Sequence, residues 1–217
     1  MRNLIRFLAS IACALVLVTP AMAQDASESE AGDSEPADDD PMGGFNIGLG
    51  VGVVIIAESD FKQSIAGMDV TTTLPSRTDF RIGVPINLGG GGFGFDITPS
   101  IQFGDVTALG IYLGPAFSLG ITSQLYIDLG VGLQAGYWLE DSVDIGLDLA
   151  GRVPVGVTYY VQPDLGLFGE LGLGFGATGF KPKGPPISLA AAGMTSDPEL
   201  NFGAGLQIDF SAGVRWP

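Results

Sequence analysis

Residues 200–216 read LNFGAGLQIDFSAGVRW, and every second residue is apolar. Leu200, Phe202, Ala204, Leu206, Ile208, Phe210, Ala212, Val214 and Trp216 share one parity. Asn201, Gly203, Gly205, Gln207, Asp209, Ser211, Gly213 and Arg215 share the other. A period of two is that of a pleated strand, whose successive side chains leave opposite faces. One face here is wholly apolar, and the other holds glycines and buriable charges. Seven more stretches repeat the pattern, near residues 43–56, 78–88, 93–104, 107–121, 124–139, 142–161 and 164–178. In none does the apolar parity carry a charge. A soluble barrel would turn that face inward and expose a glycine-rich face too poor in charge to solvate well. Lipid outside and a polar lumen inside fit better. The expected fold is all-β: an eight-stranded antiparallel up-and-down transmembrane β-barrel.

The start of the chain sets the compartment. Arg2 and Arg6 precede the apolar run Phe7–Val18, and Ala21-Met22-Ala23 offers a small-residue cleavage site. Residues 1–23 therefore read as a secretory signal peptide. The one cysteine, Cys13, lies inside its apolar core, where lipidation is not expected. Residues 24–42 form an acidic linker with eight carboxylates and no base between Asp25 and Asp40, expected to be disordered. Its plain reading is a solvated lead-in; its sharper one is a polyanionic tail that attracts a cationic partner or divalent ions. Residues 43–217 make the barrel domain, with sixteen acids against seven bases, which argues against nucleic acid as a partner. No later segment carries a charge-free apolar run long enough for a membrane helix.

Loop lengths agree with parity. The connections at Gly89–Gly92, Thr122-Ser123 and Gln162–Asp164 are short, whereas residues 57–77 and 179–199 form long ones. Short periplasmic turns and longer outer loops are the rule for such barrels, which places both termini in the periplasm. Within the first long loop, Phe61, Gln63 and Ile65 alternate up to Ala66-Gly67, and Met68, Val70, Thr72 and Leu74 alternate back, as in a hairpin. The plainer alternative is a mobile loop. Aromatic girdles are expected at both interfaces: Phe45, Phe93, Phe117, Tyr159 and Trp216 at the periplasmic rim, and Phe80, Phe103, Tyr137, Phe175 and Phe202 at the outer rim. Pro85, Pro99, Pro115 and Pro154 fall inside strands and are expected to mark bulges or breaks in pairing.

The inward parity collects a lumen charge network of Arg81, Asp96, Asp128, Asp148, Arg152, Glu170, Asp209 and Arg215. Short turns on either side are expected to set Arg152 beside Gly130, diagonal to Asp128, and diagonal to Glu170. A serine at Gly130 is expected to be mild. Eight strands enclose an interior that side chains can fill, so the lumen reads as largely plugged. The glycines on the same parity leave a second reading open, a narrow pore for ions or small polar solutes. A third is a surface-binding module using loops 57–77 and 179–199.

Residues 43–217 resemble the small eight-stranded outer-membrane β-barrel proteins, such as the transmembrane domain of outer membrane protein A and its relatives. The resemblance rests on the alternation, the Gly-rich strands and the ending Phe210, Ala212, Val214, Trp216, although Pro217 follows where the family usually stops on the aromatic. It implies a monomer in the lipid bilayer of the outer membrane, delivered by the outer-membrane assembly machinery through its C-terminal strand. No catalytic, cofactor-binding or metal-binding residue is assigned. The chain has no histidine, which removes His-based triads and His metal ligands. Lipid-modifying barrels of similar architecture use histidine, so their mechanism does not transfer. Gly89–Gly92 lacks the Lys-Ser/Thr of a phosphate loop and reads as a tight turn. The expectation is a non-enzymatic integral outer-membrane protein with a structural or surface role.

Overall fold

The computed structural model describes residues 44–65, 68–90, 92–141, 143–183 and 201–217. The expected signal peptide, the acidic linker and most of the second long loop lie outside these residues. The described residues include twelve strands: β1 (Gly44–Ile56), β2 (Ser59–Ile65), β3 (Met68–Leu74), β4 (Arg77–Gly83), β5 (Ile86–Gly90), β6 (Phe93–Gly104), β7 (Ala108–Gly120), β8 (Leu125–Gly130), β9 (Gly132–Trp138), β10 (Val143–Gln162), β11 (Leu165–Pro182) and β12 (Asn201–Trp216). β4 with β5, and β8 with β9, are each one wall strand interrupted once. The ten wall segments thus make eight staves, every neighbouring pair antiparallel, and β12 closes the ring on β1 from Ile47 opposite Trp216 to Ile56 opposite Gln207. Closure leaves the wall without an edge, as hydrocarbon requires of a strand assembly.

Burial follows the sequence parity. Along β1, exposed Phe45, Ile47, Leu49, Val51 and Ile55 alternate with buried Asn46, Gly48, Gly50, Val54 and Ile56. Along β10 the same alternation runs from Gly146 to Tyr160. The large apolar side chains are therefore the exposed ones, with Leu133 at 71%, while arginines and aspartates fill the interior. This inverts the soluble pattern and matches a lipid-facing exterior. All ten girdle aromatics point outward. Phe93 pairs with Phe117, and Phe80 with Phe103, across adjacent strands. Phe175 lies well inside β11 instead of at its end.

The four prolines fall into two groups, each at an interruption. Val84-Pro85 separates β4 from β5, bridged by Val84 N–H donating to Pro99 O at 3.0 Å and Gly48 N–H to Pro85 O at 2.8 Å. Val131 separates β8 from β9, and its N–H donates to Pro115 O at 3.2 Å. Carbonyls of the prolines still accept; only their missing N–H groups are lost. Where a proline ring points inward, the neighbouring strand answers with glycine. A Cβ on Gly48 would stand 3.0 Å from Pro85 Cγ, and one on Gly130 would stand 2.9 Å from Pro154 Cγ. The expectation of a mild serine at Gly130 is therefore overturned. The expected tight turn of Gly89–Gly92 is also shorter, because Gly89 and Gly90 belong to β5, while Gly92 takes the positive φ of 86°.

The first long loop folds as the hairpin its alternation suggested. β2 and β3 pair from Ser59 opposite Leu74 to Ile65 opposite Met68, and they form a two-stranded sheet of their own. Parity changes on entering it. Odd residues face out in β1, yet Ser59 is buried, and Asp60, Thr71 and Thr73 are exposed. Thr73 Oγ1 donates to Asp60 at 2.5 Å on that polar outer side.

Leu129→Arg, on the exposed parity of β8, is expected to cost about 2–4 kcal/mol in a refolding titration into lipid. Gly136→Ala, whose Cβ meets nothing nearer than 3.4 Å, is expected to cost less than Gly130→Ala. Equal costs at Leu129 and Gly136 would refute the lipid-facing assignment.

Candidate functional site

Among the described residues the lumen gathers the charged side chains, which form three clusters along the axis. They arise because β4, β10, β11 and β12 each turn polar residues to the same interior at different heights.

The first cluster lies at the hairpin end. Asp148 accepts from Trp138 Nε1 at 2.8 Å, from Thr178 Oγ1 at 2.7 Å and from Arg77 Nη2. Arg77 Nε stands 3.2 Å from Asp79 Oδ2, and the guanidinium lies 4.7 Å over the Trp138 ring. Trp138 stacks in turn on Phe180, with ring centroids 6.4 Å apart. At this end of the lumen the indole is thus held between a cation and a phenyl ring.

The central cluster is built on Asp209, which is 0% exposed. Arg81 Nη2 donates to it at 2.7 Å from β4, across the intervening β1. Arg152 Nε donates to it at 2.7 Å from β10, across the intervening β11, and Arg152 Nη2 also reaches it. The same Nη2 donates to Glu170 Oε1 at 2.6 Å. Gly172 is what lets Arg152 cross β11, because a Cβ there would stand 2.5 Å from Arg152 Nε. The other face of the guanidinium lies 5.1 Å over the Tyr112 ring.

The third cluster lies toward the end where β1 starts and β12 finishes. Asp128 accepts from Ser118 Oγ and Thr158 Oγ1, each at 2.6 Å, and from Arg215 Nη1 at 3.2 Å. Arg215 packs 5.4 Å over Phe168. Asp96 takes a hydrogen bond from Asn87 Nδ2 at 2.8 Å, with no arginine bonded to it.

The structure places all eight residues of the expected network at the lumen, and Arg152 meets Glu170 as expected, although from opposite Gly174 and not from a diagonal position. Arg152 was expected beside Gly130 and diagonal to Asp128. It pairs instead with Gly132, and Asp128 sits opposite Gly156, so the cation of Asp128 is Arg215. The reason is the connection before β10. That hairpin is centred one residue later than expected, with Tyr137 opposite Leu147, which carries Arg152 along β9 from Gly130 to Gly132. Asp144, where the register of β10 on β11 shifts between Val143 and Ile145, leaves the inward parity and pairs with Lys181 at 3.4 Å. Sequence reasoning missed Arg77 and Asp79, although both share the parity of Arg81; a strand start at residue 78 cut off Arg77. It also missed the inward aromatics Tyr112, Trp138 and Phe168, whose rings cover the guanidinium faces. Their even positions within otherwise odd-apolar strands were the available signal.

Among the described residues, no group of three His, Cys, Asp or Glu side chains is placed to hold a metal ion. The lumen carboxylates accept from arginines, from Ser and Thr hydroxyls, from the Trp138 indole and from the Asn87 amide.

No protein-family model matches the sequence, and no curated protein matches it. Solved structures do match. The crystal structure of neisserial surface protein A is similar at a TM-score of 0.54 and 15% identity, covering 79% of this chain and 96% of that one. The outer membrane protein OprG from Pseudomonas aeruginosa is similar at a TM-score of 0.54 and 11% identity, covering 81% and 96%. The fold is that of the small outer-membrane β-barrels. At these identities the likeness is one of fold, and the lumen residues are described from this chain alone.

Arg152→Ala removes the cation that Asp209 and Glu170 share, and is expected to destabilise the folded barrel by about 3–5 kcal/mol in urea titrations. Gly172→Ala leaves every charge in place but blocks the crossing of β11, so it too is expected to lose stability. A Gly172→Ala protein as stable as the parent would show that Arg152 reaches Asp209 by another route.

Proposed function

We propose that this chain is an integral outer-membrane barrel with no catalytic activity, whose lumen is closed by its own side chains. Asp209 carries the reading. An aspartate with no solvent exposure, gripped by arginines from both sides, spans the width of an eight-stranded lumen. Unpaired charge at that depth is costly, so opening a path requires breaking pairs that stabilise each other. Trp138 on Arg77 adds a second obstruction at the hairpin end.

Export through residues 1–23, a periplasmic acidic segment over residues 24–42, periplasmic termini, delivery by the outer-membrane assembly machinery through β12 and a monomeric state complete the proposal. The reversal of parity at Ser59 supports a membrane boundary between Ile56 and the hairpin, because a polar outer face suits water and not hydrocarbon. The hairpin then stands outside the lipid. That position, with strand edges outside the barrel sheet, favours a second reading in which β2 and β3 present the surface that meets partners.

Refolded protein in planar lipid bilayers is expected to stay electrically silent under applied voltage, and Arg152→Ala to raise the current. Sustained current steps from the unaltered protein would overturn the closed lumen and leave the narrow pore. Deleting residues 59–74 is expected to leave refolding and silence unchanged, while abolishing any surface binding that depends on the hairpin.

A further inference from the structure

Between the central cluster and the β7–β9 wall lies a cavity of about 30 Å³, whose polar lining comes from Tyr112, Gln134, Ser100, Ser211, Arg152 and Glu170 among others. Tyr112 and Gln134 are direct cross-strand partners, on β7 and β9, and both turn inward. They are 3% and 7% exposed. Tyr112 Oη and Gln134 Oε1 are buried with no hydrogen-bond partner in the protein. A buried hydroxyl and a buried amide oxygen left unsatisfied cost about 1–3 kcal/mol each. These two groups stand side by side and line one cavity.

We infer that this cavity is a binding site for about two water molecules, held by Tyr112 Oη and Gln134 Oε1. Its volume admits that many and no hydrated ion. The lining supplies the two to four polar partners a buried water needs: the Ser100 and Ser211 hydroxyls donate or accept, and Glu170 accepts. Charge argues for water over an ion. Arg81 and Arg152 line the cavity, but Asp209 and Glu170 already neutralise them, so neither a cation nor an anion finds a net opposite charge there. Glu170 also borders the neighbouring cavity of Asp96, Asp128 and Arg215, so the hydrated stretch continues toward the terminal end of the barrel. Water here joins the central and terminal clusters where no side chain does.

The inference deepens the closed-lumen reading, and its test is separate from the electrical one. Tyr112→Phe removes only the hydroxyl. If water binds Tyr112 Oη, the variant loses those hydrogen bonds, and its folding equilibrium constant in urea titrations is expected to fall about fivefold. If the hydroxyl is dry, removing it relieves a buried unsatisfied group, so an unchanged or higher constant overturns the site. A measurement on the unaltered protein guards against misfolding of the variant. Magnetisation transfer from water to the Gln134 side-chain amide is expected in the folded barrel, and its absence would likewise overturn the site. Sustained current through the parent protein would overturn the closed lumen and leave these two results to stand on their own.

Discussion

Hydrocarbon offers no hydrogen bonds, and that single fact organises the molecule. Each backbone N–H and C=O facing the bilayer must find its partner in another strand, which a sheet achieves only by closing on itself. The pairing of β12 with β1 is that closure. Once the ring is shut, the pleat sends alternate side chains to lipid and to lumen, and composition sorts itself accordingly. The same constraint explains the cost of the prolines. Each withholds one N–H from the ladder, and they are confined to two interruptions where neighbouring carbonyls and N–H groups still bridge the gap. Glycines at Gly48 and Gly130 give room to the two rings that point inward.

Closure creates a second problem inside. An eight-stranded ring is narrow, so charges turned inward are buried together, far from bulk water. Arg77, Arg81, Arg152 and Arg215 face Asp79, Asp128, Asp148, Glu170 and Asp209, and each guanidinium lies within ion-pair reach of at least one of them. Three of the four cations also lie over an aromatic ring, which shields one face of a planar ion where a hydrogen bond cannot reach. The central aspartate draws its arginines from strands that are not its neighbours. Such reach needs an intervening residue without a side chain, which is the role of Gly172 in β11.

Much of this was legible from residue order alone, because a period-two pattern depends on local geometry. Parity identified the lipid face, the eight staves and the membership of Arg152 and Asp209 in the lumen. The alternation of residues 61–74 held a hairpin that the structure then formed. Pairing inside the lumen was not legible. Setting Arg152 against Asp128 rests on a hairpin centre counted from the turn, and the β9–β10 hairpin is centred one residue later, which moves Arg152 by one pleat to Gly132. Gly130 looked permissive on the inward parity until Pro154 was seen beside it.

The sequence by itself determined which side of the wall each residue occupies, since successive side chains on an extended backbone must alternate whatever the strand is paired with. It also determined that the outside is apolar and that the inside must reconcile arginines with carboxylates. Only the tertiary structure decided which arginine meets which carboxylate, which glycines are obligatory and where two polar groups are left facing a cavity. Those outcomes depend on register and on strand tilt around a closed ring, which bring together residues from strands that are neither adjacent in the chain nor paired in the sheet.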